Sequence, residues 1–448
     1  MPTPGFGKGA GEVITSRFHL ARSSAFRHFR SHPAMRSFAT FTLVLFAFAS
    51  ATAQEWTRFR GPEGTGIGKL VGLKSQIGES DYAWSVKLDG LGHSSPVLWG
   101  EKLFLTLAAA DGSKRRVECY DAAAGKRLWS WDVPVETLHL HKFNTFASAT
   151  PTVDADRVYV AWASGTRTEA VALDHTGQVV WQREWPDFTS DHGFGASPIL
   201  VDGVLVLHTD SVEKKQSLVL GLDPTTGKSL WEVPRVTAGA EAKHLTAYST
   251  PVSLTVEGRT MVVVLQTNDG WKGLDPKTGE ILWSFDGEYT SRSVGSIASG
   301  GGLVFATFGS GSQGSQGTAL RPKAQGAPEV AFNLGKADGL GYVPTPLFYE
   351  GRLYLMVDSG ILTCLDAATG QRIYRERVGG NFFASPIVAD GKILAMSREG
   401  ELVVLKAGDQ FEILGRSKFG EGASATPAVA NNRLYLRTDS NLICVTGS

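Results

Sequence analysis

Two stretches decide the fold, ASPILVDGVLVLH over Ala196–His208 and LDPTTGKSLW over Leu222–Trp231. In the first, a Ser-Pro pair opens a short apolar strand, Asp202-Gly203 turns the chain, and a second apolar strand returns. In the second, an Asp that can accept hydrogen bonds from turn amides and a Gly that supplies positive φ make a tight hairpin. Its aromatic, Trp231, falls on the returning strand, where it can lie across the turn. Short apolar strands bounded by turn residues predict one antiparallel all-β unit.

The unit recurs along the chain. The first signature returns as SSPVLWGEKLFLT from Ser94, ATPTVDADRVYVAW from Ala149, STPVSLTVEGRTMVVV from Ser249, PTPLFYEGRLYLMV from Pro344, ASPIVADGKILAMS from Ala384 and ATPAVANNRLYLRT from Ala425. The second returns as YDAAAGKRLW from Tyr120, LDHTGQVVW from Leu173, LDPKTGEILW from Leu274 and LDAATGQRIY from Leu365. In each copy the turn glycine stands four residues before the repeat aromatic, Trp129, Trp181, Trp231, Trp283 or Tyr374. Two degenerate units, from Ser296 to EVAFNL at Glu329 and around LVVLKAGDQFEIL from Leu402, are placed by their position in the period. The GSGSQGSQGT run from Gly309 has nothing to bury and reads as a flexible connection. Such a period of 40 to 55 residues gives seven units and a remainder. After Ala425 only three strands remain, and YAWSVKL from Tyr82, with Trp84 in the aromatic's place, supplies the fourth. The expected fold is therefore all-β, an eight-bladed β-propeller of four-stranded antiparallel blades whose last blade is closed by an N-terminal strand, leaving no open gap in the ring.

Residues 81–448 make this propeller, 54–80 an N-terminal extension, and 1–53 a leader with a signal peptide. The apolar run Ser37–Ser50 follows Arg36 and ends in Ala51-Thr52-Ala53, a small-x-small pattern that places cleavage after Ala53. The run is shorter than the ~20 residues that span a bilayer, so no membrane span is expected in the mature chain. Met35 stands where a signal peptide would begin, and the expected start is there. A periplasmic or secreted protein follows. Lysine plus arginine equals aspartate plus glutamate at 44 each, so no global field draws nucleic acid or an anionic surface. Cys119, Cys364 and Cys444 occupy one repeat position, two before the turn Asp or its equivalent, where other copies carry Ala172, Gly221, Gly273 and Val404. They read as small packing residues rather than a disulfide framework.

The paired signatures, covering the chain after residue 81, resemble the pyrroloquinoline quinone (PQQ)-type propeller repeat. WTRFRGPEGTGIG from Trp56 and HGFGASPIL from His192 are similar to segments of uncharacterised exported bacterial PQQ-like proteins. The resemblance implies two branches. One comprises quinoprotein dehydrogenases, which hold PQQ with calcium on the propeller axis and carry a vicinal cysteine pair, acidic and amide calcium ligands and a catalytic Asp. The other comprises non-catalytic propellers resembling the outer-membrane assembly factor B lipoprotein. This chain has no vicinal cysteines, no cysteine directly after its apolar run, and little beyond the bare repeat, about 50 residues per blade.

Function is expected on the face carrying the loops that cross from one blade to the next, since such loops hold functional groups on a rigid scaffold. The candidate rim comprises His93, His139, His141, His192 and His244 with Phe146, Phe194, Tyr248, Tyr342, Phe382 and the adjoining Phe383. The histidines belong to four consecutive crossings and should share one half of the rim. Neutral imidazoles there, chiefly His139, His141 and His192 with Asp191 or Asp187, are candidate metal ligands, provided that they converge to about 2.0–2.1 Å from one ion. The expected function is a non-catalytic binding or scaffold propeller, a monomer, engaging an extracytoplasmic protein, a glycan or a small molecule through this face. The alternatives are a PQQ-dependent oxidoreductase or degenerate relative, implied by the resemblance alone, and a metal-binding rim.

Overall fold

Among the described residues eight sheets are present, each a blade of four antiparallel strands, one of them extended by a fifth. The computed structural model describes residues 55–447 apart from 211–216, 236–245, 268, 288, 290 and 312. The leader, Met35, the apolar run and its cleavage pattern lie outside the described residues, as does His244. Blades 1 to 7 span 97–134, 152–186, 199–234, 252–285, 298–335, 347–377 and 387–418, and blade 8 combines 428–446 with the strand Tyr82–Lys87. That strand pairs antiparallel with Asn441–Thr446, Trp84 opposite Cys444, so the first strand of the propeller completes the last blade. Among the described residues no helix is long and apolar enough to cross a membrane.

The hairpin chemistry works as the repeat requires. Asp121 Oδ1 accepts from the amides of Ala123 and Ala124, Asp223 from Thr225 and Thr226, and Asp366 from Ala368 and Thr369, at 2.8–3.1 Å. The repeat aromatic, however, lies across the turn of the next blade, not its own. The Trp129 ring would meet a Cβ on Gly177 at 2.8 Å, Trp181 one on Gly227 at 2.7 Å, Trp231 one on Gly279 at 2.8 Å and Trp84 one on Gly125 at 2.6 Å. The indole N–H of each donates into that neighbouring turn, to the carbonyls of His175, Pro224, Pro276 and Ala122 at 2.8–3.1 Å. In blade 5 the register partner of Ala319 is Phe332, and this ring covers Gly370 in the same way.

Directly opposite the aromatic stands the small residue of the repeat: Cys119 faces Trp129, Gly221 faces Trp231, Cys364 faces Tyr374 and Cys444 faces Trp84. All three cysteines are buried and unbridged. Blade 7 reverses the pair, with Val404 opposite Gly415. Blade 8, made from both termini, has no third-to-fourth strand turn on which an aromatic from blade 7 could dock. The extension fills the space instead, its Ser75 carbonyl lying where a Cβ on Gly415 would be.

The GSGSQGSQGT run is not a flexible connection. Leu303–Ser310 and Gln313–Arg321 form the central hairpin of blade 5, with Gly309 opposite Gly314 and Gly317 opposite Thr307. Phe305 and Leu340 lie over Gly317, so the neighbours supply the bulk that these glycines lack.

Residues 55–78 form a strap along the inner strands. Trp56 bridges Leu98 of blade 1, the Thr57 carbonyl accepts from Val153 of blade 2, and Arg58 donates to Ser253 of blade 4. Ile67–Gly68 then joins blade 7 as a parallel fifth strand beside Ile387–Ala389, and Val71 is held by Asn432 of blade 8. Trp56, Leu70, Leu73 and Ile77 enter the largest apolar cluster, at 0–5% exposure.

Candidate functional site: the axial cup

A Ser or Thr, followed by Pro in every blade but the fifth, stands two residues before each inner strand, and these residues meet around the axis. The hydroxyl of one blade accepts the backbone N–H of its counterpart on the preceding blade: Ser95 to Thr150, Thr150 to Ser197, Ser197 to Thr250, Thr250 to Ser296, Ser296 to Thr345, Thr345 to Ser385 and Ser385 to Thr426, all at 2.9–3.1 Å. Ser296 keeps this bond although its blade has lost the proline. The eighth seam, between blades 8 and 1, is made by Arg437, which donates to the Ser94 carbonyl, the Ser94 hydroxyl and the Thr106 carbonyl.

All eight members of this girdle line an open cup of about 410 Å³. Phe59, from the strap, also lines it. The strap pairs with inner strands two or three residues beyond the girdle, as Leu98 lies beyond Ser95 and Val153 beyond Thr150, so it lies on the side away from the crossing loops. On the crossing-loop side the walls are His93, His141, His192, Tyr248, Arg292, Tyr342, Phe143 and Phe383. The mouth carries a chain of rings: Tyr248 to His192 with centroids 6.1 Å apart, His192 stacked on His141 at 4.8 Å, His141 to Phe143 at 5.4 Å and Phe143 to Phe383 at 5.6 Å. The Arg398 guanidinium sits 4.4 Å from the centroids of both Phe143 and Phe383, a cation–π arrangement.

The electrostatics are one-sided. Among the described residues the cup's lining contains no Asp or Glu and one formal cation, Arg292. Its Nη1 lies 2.8 Å from Nε2 of His192, where it donates to a neutral ring. Burial, then Arg292, then His141 push the His192 pKa down to about 4. Burial followed by Arg437 and Arg398 does the same for His93, also to about 4. Burial raises the Tyr248 phenol to about 12. Behind the wall, Asp358 accepts the backbone N–H of Tyr342 at 2.7 Å and holds that loop in place; burial lifts its carboxyl to about 6.

Six of the expected rim residues thus line one cavity: His93, His141, His192, Tyr248, Tyr342 and Phe383. The other described members, His139, Phe146, Phe194 and Phe382, do not join them. His139 is exposed. Phe146 lies beneath Arg115, 4.8 Å from its guanidinium, and Phe194 packs on Phe188 at 5.8 Å, both beside a separate small crevice. Phe382 is fully buried in a blade core, and its neighbour Phe383 reaches the cup instead. The half-rim is also too narrow a description, because Phe143, from the crossing between blades 1 and 2, meets Phe383 from the crossing between blades 6 and 7. The metal reading loses its geometry. Among the described residues no three His, Cys, Asp or Glu side chains converge, Asp191 is exposed, and His141 and His192 stack face to face.

The girdle was visible in sequence as a repeated Ser/Thr-Pro pair but reads there as a strand opening, since the partner hydroxyl lies one whole repeat away. Arg292 had no signal, because it stands in a degenerate unit.

Comparison with known proteins accords with this architecture. The family model described as outer membrane protein assembly factor BamB matches residues 77–252, 218–327, 332–410 and 358–447. The chain belongs to that family of PQQ-like repeat propellers. It is similar to the outer membrane protein assembly factor BamB of Yersinia pestis, 23% identical over 366 residues, which are 79% of this chain and 75% of that one. Among solved structures, BamB from Moraxella catarrhalis matches with a TM-score of 0.61 at 16% identity over 82% of this chain and 97% of that one. The quinohemoprotein alcohol dehydrogenase of Comamonas testosteroni matches with 0.62 at 13% identity over 88% and 81%. At these identities the structural likenesses show the shared propeller fold. The calcium-held quinone of the dehydrogenase branch can be tested against the cup itself. Calcium takes six to eight oxygen ligands, typically with carboxylates among them, and a lining without Asp or Glu does not fit it.

Proposed function

We propose that this protein is an exported, non-catalytic binding propeller that engages its ligand or partner at the crossing-loop face, with the axial cup as the centre of the contact. One observation carries the reading: the repeated geometry of eight strand openings converges on a single cavity that pairs aromatic walls with a few polar groups, the composition of a ligand pocket. The BamB relatives support a binding role, since their name describes assembly factors of outer-membrane proteins, and an extracytoplasmic setting accords with the expected signal peptide. The protein, glycan and small-molecule options of the sequence reading share this one face.

The test is a plug. A Cβ on Gly195 would meet only Tyr248, at 3.7 Å, so a large side chain can be mounted at this cup-lining position without backbone strain. Gly195→Trp is expected to keep the wild-type melting temperature and to abolish the thermal shifts that wild type shows in a panel of periplasmic small molecules, glycans and peptides. Shifts retained in full by the plugged variant would move the binding surface elsewhere.

A further inference from the structure

The cup is open toward the crossing loops, but one side of its mouth is bridged. In the crossing from blade 1 to blade 2, residues 137–143 are tied down only at their two ends. Before them Val135 donates to the Ser113 carbonyl at 2.9 Å and the Glu136 N–H to the Ser164 hydroxyl at 3.1 Å. After them the Asn144 amide donates to the carbonyls of His192 and Phe194 at 2.7 and 3.3 Å. Between these anchors the segment makes only local hydrogen bonds among the described residues, from the Asn144 N–H to the His141 carbonyl and from the Phe143 N–H to the His141 ring. Its root is seated on the neighbouring crossing, with His141 stacked on His192 and Leu140 filling the space above Gly193. The segment is thus an arm whose tip is held by side chains alone.

That tip, Phe143, is 38% exposed and meets Phe383 on the crossing between blades 6 and 7. The crossings from blade 7 to 8 and from blade 8 to 1 lie between these two around the ring, so the contact is a chord across the mouth. The far post is firm, since Phe382 is fully buried and the Arg398 N–H donates to the Asn381 carbonyl at 2.7 Å. The Arg398 guanidinium completes the clasp, 4.4 Å from the centroids of both rings. Its side chain makes no hydrogen bond or ion pair among the described residues, and its buried Nε has no partner, so the two rings are what hold it. Burial, then Arg437, then Arg398 lower the His93 pKa, which places this guanidinium over the sector that the chord encloses. One edge-to-face contact and two cation–π contacts at a wet surface favour the closed arm by roughly ten-fold to a few-hundred-fold. Such a clasp is the resting state and still opens without unfolding the ring.

We propose that residues 137–143 are the gate of the cup. Phe143 closes on the Phe383–Arg398 post, the arm swings on its anchors at Glu136 and Asn144, and molecules too wide for the free side of the mouth enter only when the clasp releases. Phe143, Phe383 and Arg398 therefore set the size of what reaches the girdle. This adds access control to the binding site argued above and rests on that reading, while the motion itself is measurable without a ligand.

A thiol placed under the chord reads the gate. Ser424, on the crossing from blade 7 to blade 8, lines the cup, is half-buried and makes no hydrogen bond among the described residues. Cys119, Cys364 and Cys444 are buried, so in Ser424→Cys the new thiol is the one open to reagents. Fluorescein-5-maleimide is expected to label it slowly, and adding Phe143→Ala or Arg398→Met to speed that reaction about ten-fold or more, with N-ethylmaleimide, a small reagent, changed less than two-fold. More than one label per chain would mean that a variant has unfolded; Phe383→Leu, which removes the same clasp from the opposite post, then supplies the reading. Equal fluorescein-maleimide rates with and without the clasp, an acceleration by Phe143→Ala that Arg398→Met does not share, or equal acceleration of both reagents would each overturn the gate. Because no ligand is involved, that failure leaves the binding site standing, whereas ligand shifts retained by Gly195→Trp would remove the binding site and not the gate.

Discussion

Trp231 and Gly279 stand 48 positions apart in the sequence and in contact in the fold, and they show what a single repeat residue does. Gly279 holds φ at +73, a conformation that side chains resist, and the ring of Trp231 fills the space above it. Trp231→Ala should cost about 3–5 kcal/mol, as for other buried large side chains, and Gly279→Ala about 1–3 kcal/mol from strain and overpacking. Because both changes break one contact, chemical denaturation of the double variant should show less than the sum of the two. The latch gives a sharper contrast. Thr150→Val strands the buried N–H of Ser95 and should cost about 1–3 kcal/mol, whereas Ser95→Ala removes a hydroxyl without a partner and should stay within about 0.5 kcal/mol. The four-residue spacing of glycine and aromatic identified the right residues from sequence, but hairpin logic is local and assigned each ring to its own turn. The true partner is one period away, and only the closed ring brings it near.

At the scale of elements, the strap is the feature that sequence periodicity could not supply. It has no period of its own, and its residues serve gaps left by other elements: the Ser75 carbonyl where Gly415 has no aromatic, Phe59 in the lining of the cup, and Ile67–Gly68 along the inner edge of blade 7. The same limit explains the misread glycine run. Its composition has nothing to bury, yet Phe305 and Leu340 bury themselves upon it. Trp56 is fully buried and pairs with Leu98, so it anchors the strap at blade 1. Trp56→Ala is expected to lower stability by about 3–5 kcal/mol. Hydrogen exchange should rise first in residues 66–68 and along 387–389, the parallel pair midway along the strap; exchange confined to blade 1 would show that the strap's anchors on blades 1 and 7 are held independently.

At the scale of the whole ring, two properties depend on all blades together. The first is the response to pH. Burial holds His93 and His192 at about 4 and His208 at about 3, below their value in an unfolded chain near 6.5. The unfolded state therefore binds more protons between these values, so their contribution is complete above about pH 6.5 and is lost as pH falls toward 4. Asp358 opposes them, because its raised carboxyl, at about 6, makes the folded state the better proton acceptor across much of the same window. Asp210, Asp439 and Glu55, also raised by burial, act with Asp358, and His175, also lowered, acts with the other histidines; the histidines shift furthest, so the melting temperature should fall from pH 7 to pH 4.5, and His208→Gln should flatten that fall.

The second is closure, which rests on one strand. Asn441–Thr446 lies between Arg433–Arg437 and Tyr82–Lys87, and its Leu442, Ile443, Cys444 and Val445 are at most 3% exposed. Removing 436–448 takes away this strand together with Arg437, which makes the eighth seam in place of a girdle hydroxyl, and strands Trp84 on the turn of blade 1. A linear array would answer such a loss by fraying near its end. A closed ring has no end to fray, since aromatics docked on the next blade's turn and hydroxyls bonded to the preceding blade's amide link neighbours around it, with Arg437 at the eighth seam. The truncated chain is therefore expected to lose protection against hydrogen exchange in blade 4, on the far side of the ring, as well as in blades 8 and 1. Protection retained in blade 4 would mean that the blades are stable as an open stack and that closure serves the cup alone.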